Sequence, residues 1–232
     1  MYRELGPRIW CVEGPEVLSF GFRYPTRMVL VRLTGGGLFV WSPVALYPAL
    51  KAATDALGRV EHIVAPNSLH HLFVAEWAEA YPEAAIHAAP GLPRRRPDLR
   101  FHHVLDGRPA PGWSDCIDQV VVRGNLITTE VVFFHRPSGT VIFTDLIQNF
   151  PASYQGGWKN LIARLDLMVA PEPTVPRKFR VAFTNRTAAR AAVQQILAWP
   201  AEQVVMAHGP IIRDEARACL ARAFRWLRPQ QS

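Results

Sequence analysis

Cysteine is scarce in this chain. Only Cys11, Cys116 and Cys219 occur in 232 residues. Their number is odd, they lie far apart, and they form no CxxC or zinc-knuckle spacing. That excludes a disulfide framework and a cysteine-built zinc module, and it points to buried thiols in a reducing compartment. Long apolar runs are absent too. None reaches the roughly 18 residues that a membrane span requires. The opening residues, Met1-Tyr2-Arg3-Glu4-Leu5-Gly6-Pro7, lack a basic region followed by an apolar one, so the expected location is the cytoplasm. Nucleotide and acyl-transfer motifs are also missing. Gly35-Gly36-Gly37 leads into neither GK[ST] nor a GxGxxG helix start and reads as a hairpin turn. There is no G-x-S-x-G elbow. Ser68 lies two residues before His70, but no motif supplies an oxyanion hole.

What the chain does contain suits a sizeable core. It is 49% hydrophobic and 19% charged, which argues against disorder. The net charge of +7 comes mostly from arginine and favours anionic partners such as phosphate, carboxylate, nucleic acid or acidic lipid. The arginines are scattered apart from Arg94-Arg95-Arg96, which sits between Pro93 and Pro97. That triplet reads as a solvated loop, and no aromatic-interleaved basic stripe supports nucleic-acid binding. The partner expected is a small-molecule substrate or ligand of anionic character.

Periodicity divides the chain into short elements. Ile9–Val12 reads as a first strand, with a bend or sheet edge at Phe20-Gly21-Phe22. Met28–Leu33 and Leu38–Trp41 form a hairpin about the glycine triplet. Pro48–Leu57 is helical, with Gly58 as its cap. The run Ile63-Val64-Ala65 then stops at Pro66. Asn67-Ser68 make a turn, and His70-His71 open a helix running from Leu72 to Ala80. Ala85–Ala88 is a strand, and residues 89–115 read mainly as loop, with a brief strand at Val104-Leu105. Ile117–Val122, Thr128–His135 and Thr140–Thr144 form a meander. Trp158–Met168 reads as helical, and Pro171, Pro173 and Pro176 break the chain after it. Thr187–Trp199, capped by Thr184 or Asn185, is a helix; Gln203–Ala207 is a strand; Asp214–Leu227 is the last helix. The order predicts an α/β chain of two packed sheets flanked by helices, without a linker, so residues 1–232 read as one domain.

Four groups share one placement. His70 and His71 follow one strand, Asp145 follows a second in Phe143-Thr144-Asp145, and His208 follows a third in Val205-Met206-Ala207-His208-Gly209. Loops after strand ends are where such folds collect functional groups. Three imidazoles and a carboxylate suit zinc, iron or manganese. Each histidine has an alternative as a satisfied structural residue, and Asp145 could instead accept backbone N–H groups.

This layout resembles the metallo-β-lactamase-like superfamily of metal-dependent hydrolases, in a divergent branch of unknown function. The resemblance runs from the N-terminal hairpin to the helix after His208, and it implies a four-layer αββα sandwich. The family's main motif is His-x-His-x-Asp-His. Aligned on His71, it places Pro66 and Ser68 at the first two histidines and His70 at the aspartate. The intermediate histidine falls near Gly124-Asn125-Leu126, where Asn125 is the nearest polar residue. The resemblance therefore implies that one metal site is lost. The other maps to His70, His71, Asp145 and His208 as metal ligands.

A hydrolase with one divalent transition metal, zinc first, would act on an ester, amide, thioester or phosphoester. The alternative is an inactive hydrolase-fold protein that binds a ligand or partner. Four protein ligands would close a tetrahedral zinc. Tyr154, Trp158, Lys159 and Arg164 are candidate rim residues by location. Glu130 reads as a cross-strand surface pair, with a supporting carboxylate as the alternative. His62, His87, His102, His103 and His135 read as structural or exposed.

Overall fold

The computed structural model describes residues 2–19, 21–169 and 171–227. A seven-stranded sheet has the order β1 (Arg3–Gly6), β2 (Ile9–Ser19), β3 (Phe22–Arg32), β4 (Leu38–Trp41), β5 (Val60–Ala65), β6 (Ala85–Ala88), β7 (His103–Val104). Its first four strands run antiparallel and the rest continue parallel. A four-stranded sheet has the order β11 (Gln203–Met206), β10 (Thr140–Phe143), β9 (Glu130–His135), β8 (Ile117–Val122). The expected hairpin pairs Val29 with Trp41 and Arg32 with Leu38. The first strand is longer than its apolar start suggests, because β2 continues with β3 into a projecting hairpin. Gly21 (φ +79°) turns this hairpin, and Phe20 lies outside the described residues.

Alternation along the strands builds the layers. Val29, Val31, Phe39, Trp41 and Val64 face Val131, Phe133, Ile142 and Val205 between the sheets. The intervening Met28, Leu30, Val40 and Ile63 face the other way. They meet the helices α1 (Pro48–Leu57), α2 (Val74–Ala80) and α3 (Leu92–Arg95). On the far side Val132, Phe134, Val141, Phe143 and Val204 pack on α5 (Arg177–Ala182), α6 (Arg186–Ala198) and α7 (Ala216–Ala223). The result is an αββα sandwich. Strands covered on both faces read as continuous apolar runs, and β9 is buried along its whole length.

Local signals behaved as their chemistry requires. Proline starts α1, and the Gly58 N–H closes it on the Thr54 carbonyl. The Asn185 side chain caps α6 by accepting from Ala188 N–H. Several details differ. β1 precedes the expected first strand, and α2 begins at Val74, so His70-His71 lie in the loop before it rather than opening the helix. Arg94 and Arg95 lie on α3, because Leu92 is buried and pins a single turn there. A short helix, α5, forms after Pro176, which serves as its N-cap. The last helix ends at Ala223, and a 3-10 turn, Arg225–Leu227, comes after it.

Candidate metal centre

Three loops meet at one edge of the sandwich. The loop after β5 carries Asn67, Ser68, His70 and His71. The loop after β10 carries Asp145, and the loop after β11 carries His208. His70, Asp145 and His208 converge there, each offering one donor atom. His70 Nε2 lies 3.2 Å from His208 Nε2. Each imidazole nitrogen is 3.3 Å from a different oxygen of Asp145. A tetrahedral zinc with bonds of about 2.0–2.1 Å separates its donors by about 3.3 Å, so this spacing fits a metal. Asp145 and His208 are buried, and His70 is nearly so.

The tautomers favour ligation. His208 Nδ1 lies 2.9 Å from the Pro25 carbonyl. A carbonyl only accepts, so Nδ1 carries the proton and Nε2 of the neutral ring is a bare lone pair. His70 Nδ1 sits 2.9 Å from Ser42 Oγ, which can take the same proton. Where Ser42 accepts, two bare nitrogens face each other at 3.2 Å and repel unless a cation lies between them; where Ser42 donates, His70 Nε2–H donates to His208 Nε2. Burial pushes the His208 imidazole below its ordinary pKa, against the pull of Asp145. For Asp145, burial opposes ionisation, but His70 and His208, when they carry a proton toward it, outweigh burial and hold the carboxyl well below the usual range.

Buried partners hold each donor in place. Asn67 Oδ1 accepts from the Leu69 and His70 N–H groups, while its Nδ2 donates to Thr144 Oγ1 and to Asp145 Oδ2 at 2.7 Å. Gln148 Nε2 donates to Asp145 Oδ1 at 3.1 Å. Glu130 is fully buried, and its carboxylate accepts the N–H groups of Thr144, Asp145 and Leu146 at 2.8–3.0 Å. Burial, then the Asp145 charge, pushes the Glu130 pKa up. Glu130 is thus the supporting carboxylate, and the surface-pair reading is corrected: a strand buried on both faces has no exposed side. Arg27 fixes the third loop by donating to the Met206 carbonyl and, at 2.8 Å, to that of Gly209. Ser42 adopts φ +50°, a left-handed conformation costly for a residue with a Cβ, where its hydroxyl meets His70.

His71 stands apart from the cluster. Its Nδ1 lies 2.9 Å from Arg96 Nη1. A guanidinium only donates, so Nδ1 accepts and Nε2 carries the proton. Burial, then Arg96, pushes its pKa down. Both His70 and His71 line a cleft of about 540 Å³, together with Tyr24, Phe73, Arg95 and Lys178. The expected rim residues Tyr154, Trp158, Lys159 and Arg164 are not among its lining. Tyr154 instead packs on Phe150, which stacks on His208. The solvated-loop reading of the arginine triplet is corrected: α3 carries Arg95 to the cleft, and Arg96 meets His71. Lys178, which reaches the cleft from α5, carried no sequence signal. At the positions where the resemblance implies missing ligands, the Pro66 carbonyl accepts from Val131 N–H, Ser68 bonds Thr128, and Asn125 donates to the Phe179 carbonyl.

A family profile described as "Domain of unknown function (DUF4336)" matches residues 7–155. The chain belongs to the DUF4336 family. A search of curated proteins finds no match. Solved structures match over nearly all of the chain. A metallo-β-lactamase from Pontibacter korlensis aligns with TM-score 0.64 and 11% identity, covering 97% of this chain and 98% of its own. The mono-zinc form of the metallo-β-lactamase FIM-1 from Pseudomonas aeruginosa gives TM-score 0.62 and 14% identity, covering 99% and 96%. The metal-soaked flavodiiron core of Flv1 from Synechocystis gives TM-score 0.66 and 13% identity, covering all of this chain and 62% of that one. The DUF4336 fold here is that of the metallo-β-lactamase-like superfamily, as the residues around His70 implied.

Proposed function

We propose that the chain is a single-domain, metal-dependent hydrolase whose site takes one divalent ion, zinc first, on His70, Asp145 and His208. The observation that carries this reading is the convergence of two Nε2 atoms and one carboxylate at metal-ligand spacing on the wall of a cleft. Three protein ligands leave one tetrahedral position free, as catalytic sites require, whereas the four-ligand set with His71 would close it. A bound divalent ion would supply Lewis acidity, polarising an ester, amide, thioester or phosphoester and acidifying water. The chain does the rest. Ser42 and the Pro25 carbonyl hold the two rings in the ligating tautomer. Asn67 and Gln148 donate to Asp145 and favour its anionic form, and Glu130 fixes its loop by accepting backbone N–H groups. His71 Nε2–H is a donor available to a developing oxyanion, and Lys178 and Arg95 favour an anionic substrate.

Metal content by elemental analysis tests this. Purified protein should carry about one equivalent of divalent metal, lost in His70→Ala and in His208→Ala and retained in His71→Ala. Ester, thioester and phosphodiester substrates should then be turned over only by metal-loaded protein. A second reading, an inactive fold that binds a small ligand, draws on Asp145, whose two oxygens already accept from Asn67 and Gln148. A proton shared between the imidazoles would then replace the metal. Protein purified without chelator that holds no metal, and takes none up, would favour that reading.

A further inference from the structure

Helix α4 (Gly157–Leu165) presents an uncovered apolar face. Trp158, Leu161, Ile162 and Leu165 are 68%, 60%, 41% and 59% exposed. At about 100° per residue they fall within an arc of about 100°, and Lys159 and Arg164 lie about 60° beyond its two edges. The opposite side is held down by one small residue, Ala163, which packs with Phe150 and Met168. The projecting hairpin lies alongside, since Lys159 Nζ donates to the Gly21 carbonyl. Leu18, on the same hairpin, is 76% exposed and lines the cleft.

The charges around this face have one prevailing sign. Helix α4 contains no acidic residue. Arg23 and Arg177 add cations nearby. The acids are already engaged: Glu16 accepts from Tyr154 and pairs with Arg23, and Asp166 caps the start of α5 and pairs with Lys178. Apolar side chains including a tryptophan, edged on both sides by cations, are the pattern of a helix that lies in a bilayer interface. A second copy of the chain would bring the same cations against each other. We propose that α4 and the adjoining hairpin form a docking surface for membranes containing acidic lipid, so that the protein sits on a bilayer beside the mouth of its cleft.

Vesicle flotation tests this. Full-length protein is mixed with vesicles of phosphatidylcholine alone, or with about 30% phosphatidylglycerol, at low and high salt. The bound fraction should rise with the acidic lipid and fall with salt. The Leu161→Glu/Leu165→Glu double variant should lose at least about tenfold in partitioning, with its circular dichroism unchanged because both positions are exposed. Three results would overturn the proposal: no binding above the phosphatidylcholine level, equal binding by the double variant, or a concentration-dependent dimer that the variant splits while vesicles bind neither form.

Discussion

Two groups of three side chains sit at the edges of this sandwich and have opposite characters. One is His70, Asp145 and His208. The other is His62, His87 and His103, gathered on β5, β6 and β7 against Trp113. In the second, His62 Nδ1 lies 3.1 Å from His87 Nε2, and the rings pack on each other and on the indole at 4.7–5.2 Å. Among the described residues no carboxylate bonds any of the three rings, although the Glu61 charge acts on His62 from a distance. His87 Nδ1 is buried without a partner, and burial drives its pKa down to about 3. In the first group, the outward nitrogen of each ring is tethered and the inward nitrogens face a carboxylate. Gathering imidazoles therefore does not make a metal site. The anion at the centre and the tethers behind it separate a ligand set from aromatic packing.

The sharpest way to break this comparison is to remove the central anion. Asp145→Ala should abolish metal uptake, whereas His87→Ala should leave metal content unchanged; elemental analysis of both variants decides it. Next in size is the support beneath. Glu130→Ala strands three buried N–H groups, each costing about 1–3 kcal/mol. It should destabilise the protein by about 3 kcal/mol or more in urea unfolding and lower metal occupancy with it. Smaller is the tether: Ser42→Ala should weaken metal affinity by about 10- to 100-fold with little change in melting temperature, read by competition with a chromophoric chelator.

A last effect concerns pH and involves His87 of the packed cluster together with His135, which lies on β9 and bonds Ser138. His87 (about 3) and His135 (about 4) have folded pKa values far below the ordinary 6.5. Below pH 6.5 the unfolded chain takes up protons that the folded one refuses, so stability falls as pH drops from 6.5 toward 4. Melting curves across that range should show the slope, and His87→Leu should make it shallower. A slope unchanged by that substitution would show that His87 is not a neutral packing residue.

Much of the fold was legible because its signals are local. Proline before Leu50, the Asn185 cap and the glycine triplet each act within a few residues. Three of the four expected ligands converge, and each drew notice in the sequence because it follows a β-type run. His71 could not be told apart from His70 by spacing, because adjacent residues differ only in direction, and Arg96, 25 residues on, draws His71 aside. Glu130 looked like a surface residue because alternation is silent about a strand covered on both faces. The tethers Ser42 and Pro25 and the cleft cation Lys178 are long-range partners, and no pattern along the chain marks them; Arg95 lies in a visible arginine triplet, but the sequence does not show that it turns to the cleft.

The Asn67 bridge has a consequence for how the chain assembles. It joins the loop after β5, in the larger sheet, to the loop after β10, in the smaller one. His208 comes 138 residues after His70. The donors therefore cannot come together until the chain has been made through β11 and both sheets have formed and docked. Contacts this distant close late in folding. Ion capture would then be the last step of maturation, and a half-made chain would offer too few donors to trap a metal in the wrong place.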